Sequence, residues 1–364
     1  MKSILILSNS SVGLYNFRNE LILKLLEQNR VIISIPDEIK ANELKEEGCE
    51  IIVTPINRRG MNPREDGKLF LAYRRLLKQV RPDVVLTYTI KPNIYGGLAS
   101  RILKIPYIVT ITGLGSTFQR EGFLKDVVVR MYRTALKRAD CIFFQNEGNK
   151  KVFEQYHILG KKERLVNGSG VNLEKHPYEE YPEGDIVRLL FVGRIMKEKG
   201  IDEFLEAARV LHTDKIVFEV LGGCDEDYIE VIKEYVKKGI ISYHGFQKDV
   251  HQYYKAASVL VLPTYYFEGM SNVLMEASAT GRPVITSNIN GCREVYEEGV
   301  TGLCCETKNS ANLICVIKRF LALRFLERAK MGCNARIKME REFNRANVTA
   351  AYVEEIDKIL GKKQ

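Results

Sequence analysis

Two glutamates eight residues apart, Glu268 and Glu276, bracket the segment Gly269-Met270-Ser271-Asn272 in this 364-residue chain. The run from Phe267 to Ala277 reads as a glycine-containing turn that opens a helix, so Glu268 lies in the turn and Glu276 two helical turns beyond it. The first N–H groups of a helix lack intrahelical partners and favour an anion. Carboxylates only accept hydrogen bonds and suit hydroxyls. Backbone donors at Gly269, Met270, Ser271 and Asn272 between two such acceptors match a nucleotide sugar, whose diphosphate takes donors while its ribose and hexose take acceptors. A buried helix with a solvated rim gives the same spacing without any ligand.

A second group opens the other end of the same half. In Phe191-Val192-Gly193-Arg194-Ile195-Met196-Lys197-Glu198-Lys199-Gly200 a strand ends at Gly193 and a helix begins near Gly200, so Arg194 and Lys199 project from the turn between them. Two fixed cations can meet the charge that builds on a leaving diphosphate without a metal, and losing one such donor typically raises a barrier by ~2.7 to 4 kcal/mol. An exposed basic turn is the plain alternative. Neither a metal nor a cofactor is expected. Asp225-Glu226-Asp227 has an Asp-x-Asp spacing that could hold a metal, but it precedes a helix whose dipole acidic residues complement.

The elements that must position these groups alternate between apolar strands and amphipathic helices, which predicts an α/β fold with parallel sheets and helical crossovers. Strands are expected at 4–7, 31–35, 51–55, 84–88, 107–110, 141–145 and 164–166, then at 189–192, 217–221, 241–244, 259–262, 284–286 and 302–305. Helices are expected at 16–27, 201–211, 228–237 and 344–360. A proline- and glutamate-rich stretch breaks the pattern near 172–187, dividing the chain into a domain at 1–171 and another at 188–342, with 343–364 a terminal helix expected to pack back on the first. Two doubly wound, Rossmann-like domains facing across a cleft would bind ligand at the carboxyl ends of their strands.

Composition supports two packed domains, with 45% hydrophobic residues over 364 positions. The apolar run at the N-terminus is short for a signal peptide, and no run reaches the ~18 residues of a spanning helix, so a cytoplasmic chain is expected. The eight cysteines form no Cys-x-x-Cys pair, which favours reduced, packing thiols. Residues 1–170 hold 28 Lys and Arg against 17 Asp and Glu, and the remainder 27 against 29, so the positive charge sits in the first half. No nucleic-acid motif accompanies it. An anionic membrane surface carrying a phosphorylated lipid fits the charge better. The segment 123–138 carries one stripe of Leu124, Val127, Val128, Met131 and Ala135 and another of Arg130, Arg133 and Lys137, which suits either a core helix with a basic outer face or contact with a bilayer.

Pro263, Gly269, Asn272, Glu276-Ala277, Gly281-x-Pro283, Gly291-x-x-Glu294 and Gly302 place the paired glutamates in a frame that resembles the Glu-x7-Glu signature of retaining glycosyltransferases of family four, which have the GT-B fold. Residues 193–200 resemble that family's Gly-Arg-x-x-x-x-Lys-Gly element, and 244–250 its nucleobase loop. The segment Ser10 to Arg18 lacks Gly-x-Gly-x-x-Gly, against a dinucleotide dehydrogenase, and resembles the Leu-x-x-Phe-Arg opening of the capsule and lipopolysaccharide branch. Thr89 to Gly96, Thr110 to Gly115 and Gly168 to Val171 extend the likeness over nearly the whole chain.

The resemblance implies roles. Glu268 would contact the donor hexose and its developing positive charge, Glu276 the ribose, Arg194 and Lys199 the diphosphate, with Phe246 and Gly13 also on the donor. Arg18 and Lys91 would hold the acceptor's phosphate or saccharide, the plain alternative being ordinary surface cations, with Asn93 and Thr112 also on the acceptor. Thr112 stands where many members carry a histidine, so the acceptor proton would pass to the leaving phosphate on the same face. Glu294, a later acidic position of the family, is equally explained as a helix N-terminal acid. The implied activity is metal-independent, retaining transfer of a sugar, an N-acetylhexosamine from a UDP donor, to a lipid-linked saccharide at the inner membrane face in surface polysaccharide synthesis. A nucleotide-sugar epimerase of the same architecture would turn over donor with no acceptor. A non-catalytic membrane adaptor would use the basic half alone.

Overall fold

The apolar runs of the first half pair in one direction. In the computed structural model, which describes residues 1–57, 62–114, 118, 122–266 and 269–361, β1 (Lys2–Leu7), β2 (Asn29–Ile35), β3 (Glu50–Val53), β4 (Val84–Tyr88), β5 (Tyr107–Ile111), β6 (Cys141–Phe144) and β7 (Glu163–Leu165) form a parallel sheet in the order β3-β2-β1-β4-β5-β6-β7. Alternate residues serve opposite faces. Leu5 and Leu7 join the core beneath α3 (Pro63–Val80), α4 (Gly97–Leu103), α5 (Phe123–Leu136) and α6 (Glu147–Gln155), while Ile4 and Ile6 join that beneath α1 (Ser11–Leu26) and α2 (Ala41–Glu46). Cover on both faces is why these strands read as continuous apolar runs.

The first helix starts five residues before the expected Asn16. Ser10 caps it, its hydroxyl accepting from the Gly13 N–H at 3.1 Å, so the residues from Ser11 onward already belong to α1. The stripe expected on α5 is turned by one residue. Lys125, Val128, Val129, Tyr132, Ala135 and Leu136 are buried, whereas Phe123 and Leu124 are 83% and 51% exposed. Tyr132 decides the rotation, packing edge-on against Phe153 with ring centroids 5.2 Å apart.

The second sheet contains β8 (Val187–Val192), β9 (Ile216–Leu221), β10 (Ser242–Tyr243), β11 (Val259–Leu262), β12 (Val284–Ser287) and β13 (Gly302–Cys305), in the order β10-β9-β8-β11-β12-β13. Its helices are α7 (Ile201–Leu211), α8 (Ile229–Lys237), α9 (His251–Ala256), α10 (Asn272–Ala279), α11 (Ser310–Ala322) and α12 (Phe325–Glu342). The last helix, α13 (Arg345–Gly361), belongs to the first unit, where Tyr352 stacks on Phe143 at 4.0 Å and its hydroxyl lies 2.8 Å from that of Thr110. Two compact units result: residues 1–170 with 269–270 and 345–361, and 171–266 with 271–344.

No regular element occupies residues 172–186, yet the segment is anchored. The fully buried guanidinium of Arg282 donates to the carbonyls of Glu179 and Glu180 at 3.0 and 2.7 Å and to that of Tyr254 at 2.9 Å. Burial pushes its pKa down to about 10.

Candidate active site

Three glycines shape the carboxyl edge of the second sheet. Gly193 follows β8 with φ 153°, Gly222 follows β9 with φ 143°, and their backbones approach so closely that a Cβ on Gly222 would stand 1.8 Å from the Gly193 oxygen. The Gly222 N–H donates in turn to the carbonyl of Gly245, which has φ 66°. The loops after β8, β9 and β10 are thereby fixed side by side, with Arg194 exposed on one and Phe246 74% exposed on another.

From Arg194 the chain passes through a 3-10 turn, Lys197–Lys199, to Gly200, the N-cap of α7. The Glu198 carbonyl accepts from the Tyr265 N–H at 2.9 Å and the Thr264 hydroxyl at 3.0 Å, tying this turn to the end of β11. Lys199 Nζ stands 5.2 Å from the Tyr266 ring centroid. Burial pushes the Lys199 pKa down to about 8, with Arg194 adding to the fall and Cys292 opposing it. The neighbouring Cys292 thiol, fully buried, is pushed up to about 12 by the same desolvation.

On α10, Ser271 is the N-cap and its side chain makes no cap hydrogen bond. Its N–H donates to the Gly291 carbonyl at 2.8 Å, so this one of the four expected backbone donors is committed within the protein. The N-terminus of α10 still presents the positive end of its dipole. Further along α10, Glu276 Oε2 accepts from the Tyr254 hydroxyl at 3.0 Å, with His176 Nε2 4.0 Å from Oε1. Tyr254 is fully buried, and burial raises its pKa, with Glu276 adding to the rise. Glu294 lies in a turn and not at a helix start, correcting the expectation. Its carboxylate folds back to accept the Gly291 N–H at 2.8 Å, and burial raises its pKa.

Of the remaining expected residues, Glu268 and Phe267, with Gly115 of the Thr110 to Gly115 motif, fall outside the described residues. Gly269 and Met270 group with the first unit, where the Asn146 amide donates to the Gly269 carbonyl. Asn272 is the first residue of α10. In the first unit the Gly13 N–H serves the Ser10 cap, and Arg18 is buried between the rings of Tyr88 and Tyr352, 5.3 and 5.5 Å from their centroids. Lys91 pairs with Asp66 at 2.8 Å. Asn93 is 1% exposed, its oxygen accepting from Thr87 and its amide donating to the Thr110 carbonyl. Thr112 is half-buried.

Two family models match the chain. Glycosyl transferases group 1 covers residues 175–338 and Glycosyl transferase 4-like covers residues 3–146. The chain belongs to the family-four glycosyltransferases. Among similar proteins, the N,N'-diacetylbacillosaminyl-diphospho-undecaprenol alpha-1,3-N-acetylgalactosaminyltransferase of Campylobacter jejuni is 28% identical over 84% of this chain and 86% of its own. The UDP-Gal:alpha-D-GlcNAc-diphosphoundecaprenol alpha-1,3-galactosyltransferase of Escherichia coli is 27% identical over 81% and 78%. The crystal structure of Anabaena Alr3699/HepE in complex with UDP and glucose superposes with a TM-score of 0.81 at 17% identity, covering 98% of this chain and 100% of that one. The fold is GT-B.

Within the glycosyltransferase, sequence reasoning missed Tyr254 and Asp66. Tyr254 is distant in sequence from the glutamate it holds and carries no motif of its own. Asp66 sits in the first turn of α3, where an acid is explained by the helix dipole alone. The Gly222-Gly223 pair was the legible sign of a close backbone approach. Among the described residues no helix is long and apolar enough to cross a membrane.

Proposed function

We propose that this glycosyltransferase moves an N-acetylhexosamine from a UDP donor to a lipid-linked saccharide, with retention at the anomeric carbon and without a metal. The observation that carries the reading is the glycine-framed turn that bears Arg194 and Lys199 in the same unit as Glu276. Two cations held by backbone bonds meet the diphosphate charge of the transition state without rearranging, which is the role a metal would otherwise fill. Glu276, fixed by Tyr254, takes the ribose hydroxyls. Asn272 and the head of α10 take the donor phosphates, Phe246 lies on the nucleobase loop, and the hexose is the role assigned to Glu268.

The names of the Campylobacter and Escherichia relatives support an undecaprenol diphosphate acceptor, and the first supports an N-acetylated hexose. The UDP-bound Anabaena structure supports the nucleotide. With Thr112 in place of a histidine, the leaving phosphate oxygen takes the acceptor proton on the face from which it departs, which retains configuration. The excess of cations in residues 1–170 suits an anionic surface at the cytoplasmic face of the membrane.

Glu268→Ala tests the assignment. Product formation from radiolabelled donor is expected to vanish while the thermal unfolding profile stays as in the wild type, and full activity in that variant refutes the assignment of Glu268 to the hexose and, with it, the paired-glutamate site. Retention is read from the anomeric coupling of the product by NMR, and metal independence from an unchanged rate in excess chelator.

A further inference from the structure

A single hydrogen bond anchors a carboxylate at one oxygen. The last torsion of a glutamate side chain is broad, so the Tyr254 bond to Oε2 of Glu276 leaves the direction of Oε1 to the other neighbours of that oxygen. Nε2 of His176 faces Oε1 at 4.0 Å, with the two side chains only 10% and 20% exposed. That separation is ion-pair reach and about 1 Å longer than a hydrogen bond. With so little water around the two groups, their attraction is poorly screened.

His176 comes from the stretch 172–186, which holds no regular element and reads in sequence as a linker. Its first residues form a built turn all the same. The Asn172 side chain accepts from the N–H groups of Glu174 and Lys175 at 3.0 and 2.8 Å, and the His176 N–H donates to the Asn172 carbonyl at 3.0 Å. One arginine fastens that turn to the helix that bears Glu276. Nη1 of Arg336, on α12, donates to the His176 carbonyl at 2.9 Å and to that of Ala279, the last residue of α10, at 2.8 Å. Just beyond, the Glu179 N–H donates to the Thr280 carbonyl at 3.1 Å. The imidazole is thus placed by bonds to the same helix whose carboxylate it faces, and it meets Tyr254 edge-on with ring centroids 6.2 Å apart. The neighbouring His251 has a carboxylate of its own, Glu179 at 3.1 Å, which Lys255 also pairs at 2.9 Å.

We infer that His176 is a positioning residue for donor binding: its Nε2 faces Oε1 while Tyr254 holds Oε2, so the Glu276 carboxylate is kept in one orientation and presented to the ribose. The inference rests on the assignment of Glu276 to the ribose. A role in packing alone would need the ring of His176 and not its nitrogen.

A double-mutant cycle on UDP affinity tests this, read by calorimetry on the full chain with UDP titrated into the millimolar range. His176→Phe keeps a ring of similar size and removes the nitrogens, and UDP affinity is expected to fall about fivefold or more. In the Glu276→Ala background the same change is expected to lower it by less than about twofold, because the carboxylate that the imidazole orients is gone. His176→Gln, whose amide nitrogen reaches the Nε2 position, is expected to recover most of the loss. His176→Leu takes the place of His176→Phe in both backgrounds should the latter not fold. Wild-type affinity in His176→Phe, an equal loss in both backgrounds, or a glutamine variant as weak as the phenylalanine one overturns the role. Glu276→Ala alone separates the two readings: weakened UDP binding there leaves the ribose assignment standing whatever His176 does, and unchanged binding removes that assignment itself.

Discussion

The hydroxyl of Tyr254 and the carboxylate of Glu276 are 3.0 Å apart, and Tyr254 is wholly buried. A phenol in that position has one donor and gives it to Oε2, which fixes the carboxylate on the side wall of α10. Hydrogen bonds to charged groups contribute ~1.5 to 3 kcal/mol when intact. Tyr254→Phe keeps the ring and removes the donor, so the KM for nucleotide sugar is expected to rise about tenfold while kcat changes little. Steady-state kinetics with varied donor decides it. A fall in kcat at unchanged KM would place Tyr254 elsewhere in the mechanism.

Lys199 sets a pH dependence of opposite sign for stability and for binding. Its ammonium loses its proton at about 8 in the folded chain against an ordinary 10.5. Between those values the unfolded chain holds the proton and the folded one does not, so this group makes stability rise with pH across that window, and its destabilising cost is complete below it. A diphosphate needs the cation, so UDP affinity is expected to be highest below pH 8 and to fall above it, by up to about tenfold per pH unit. Calorimetric titrations from pH 7 to 9.5 measure this. Lys199→Arg should hold its affinity through the same range, and a flat wild-type profile would show that Lys199 does not meet the diphosphate.

The sheets were legible because buried parallel strands must be apolar on both faces, and runs such as Leu5-Ile6-Leu7 have few other uses. The start of α1 was obscured because Ser10 caps it without the glutamate three residues later that completes a capping box. The rotation of α5 depended on Tyr132 finding Phe153, a contact between different helices that no local period encodes. At the site, Arg194, Lys199 and Glu276 were legible because their spacing relative to glycines is local. What holds them, Tyr254 on α9 under Glu276 and Thr264 after β11 under Glu198, comes from elements that no local motif links to them.

Arg282 supplies a stability prediction. In Gly281-Arg282-Pro283 the arginine looks like a solvated loop residue, but it is 0% exposed and donates to four backbone carbonyls, those of Tyr254, Glu179, Glu180 and Gly281. Arg282→Met fills much of the same volume and leaves the carbonyls of Tyr254, Glu179 and Glu180 without that donor. The expected loss is about 3 to 5 kcal/mol, because hydrogen bonds from a charged donor contribute ~1.5 to 3 kcal/mol each and the Glu179 and Glu180 carbonyls lose theirs. Urea unfolding followed by tyrosine fluorescence measures it, and a loss under 1 kcal/mol would mean that water replaces the guanidinium.

Gly200 joins the cationic turn to α7, and its two constraints can be separated. Its φ of 79° is left-handed, and a Cβ there would stand 2.3 Å from the carbonyl oxygen of Pro263. Gly239, after α8, has a similar φ of 69° but nothing within 4 Å of such a Cβ. Gly239→Ala should therefore cost only the conformational strain, about 1 kcal/mol, with UDP affinity unchanged. Gly200→Ala carries that strain and must also push the turn off the end of β11, where Glu198 is bonded to Tyr265 and Thr264. Lys199 moves with it. The expected result is a larger stability loss together with UDP affinity reduced at least tenfold, since a displaced cation no longer meets the diphosphate. Calorimetry on both variants separates the effects, and equal UDP affinities in the two would show that the position of this turn does not govern donor binding.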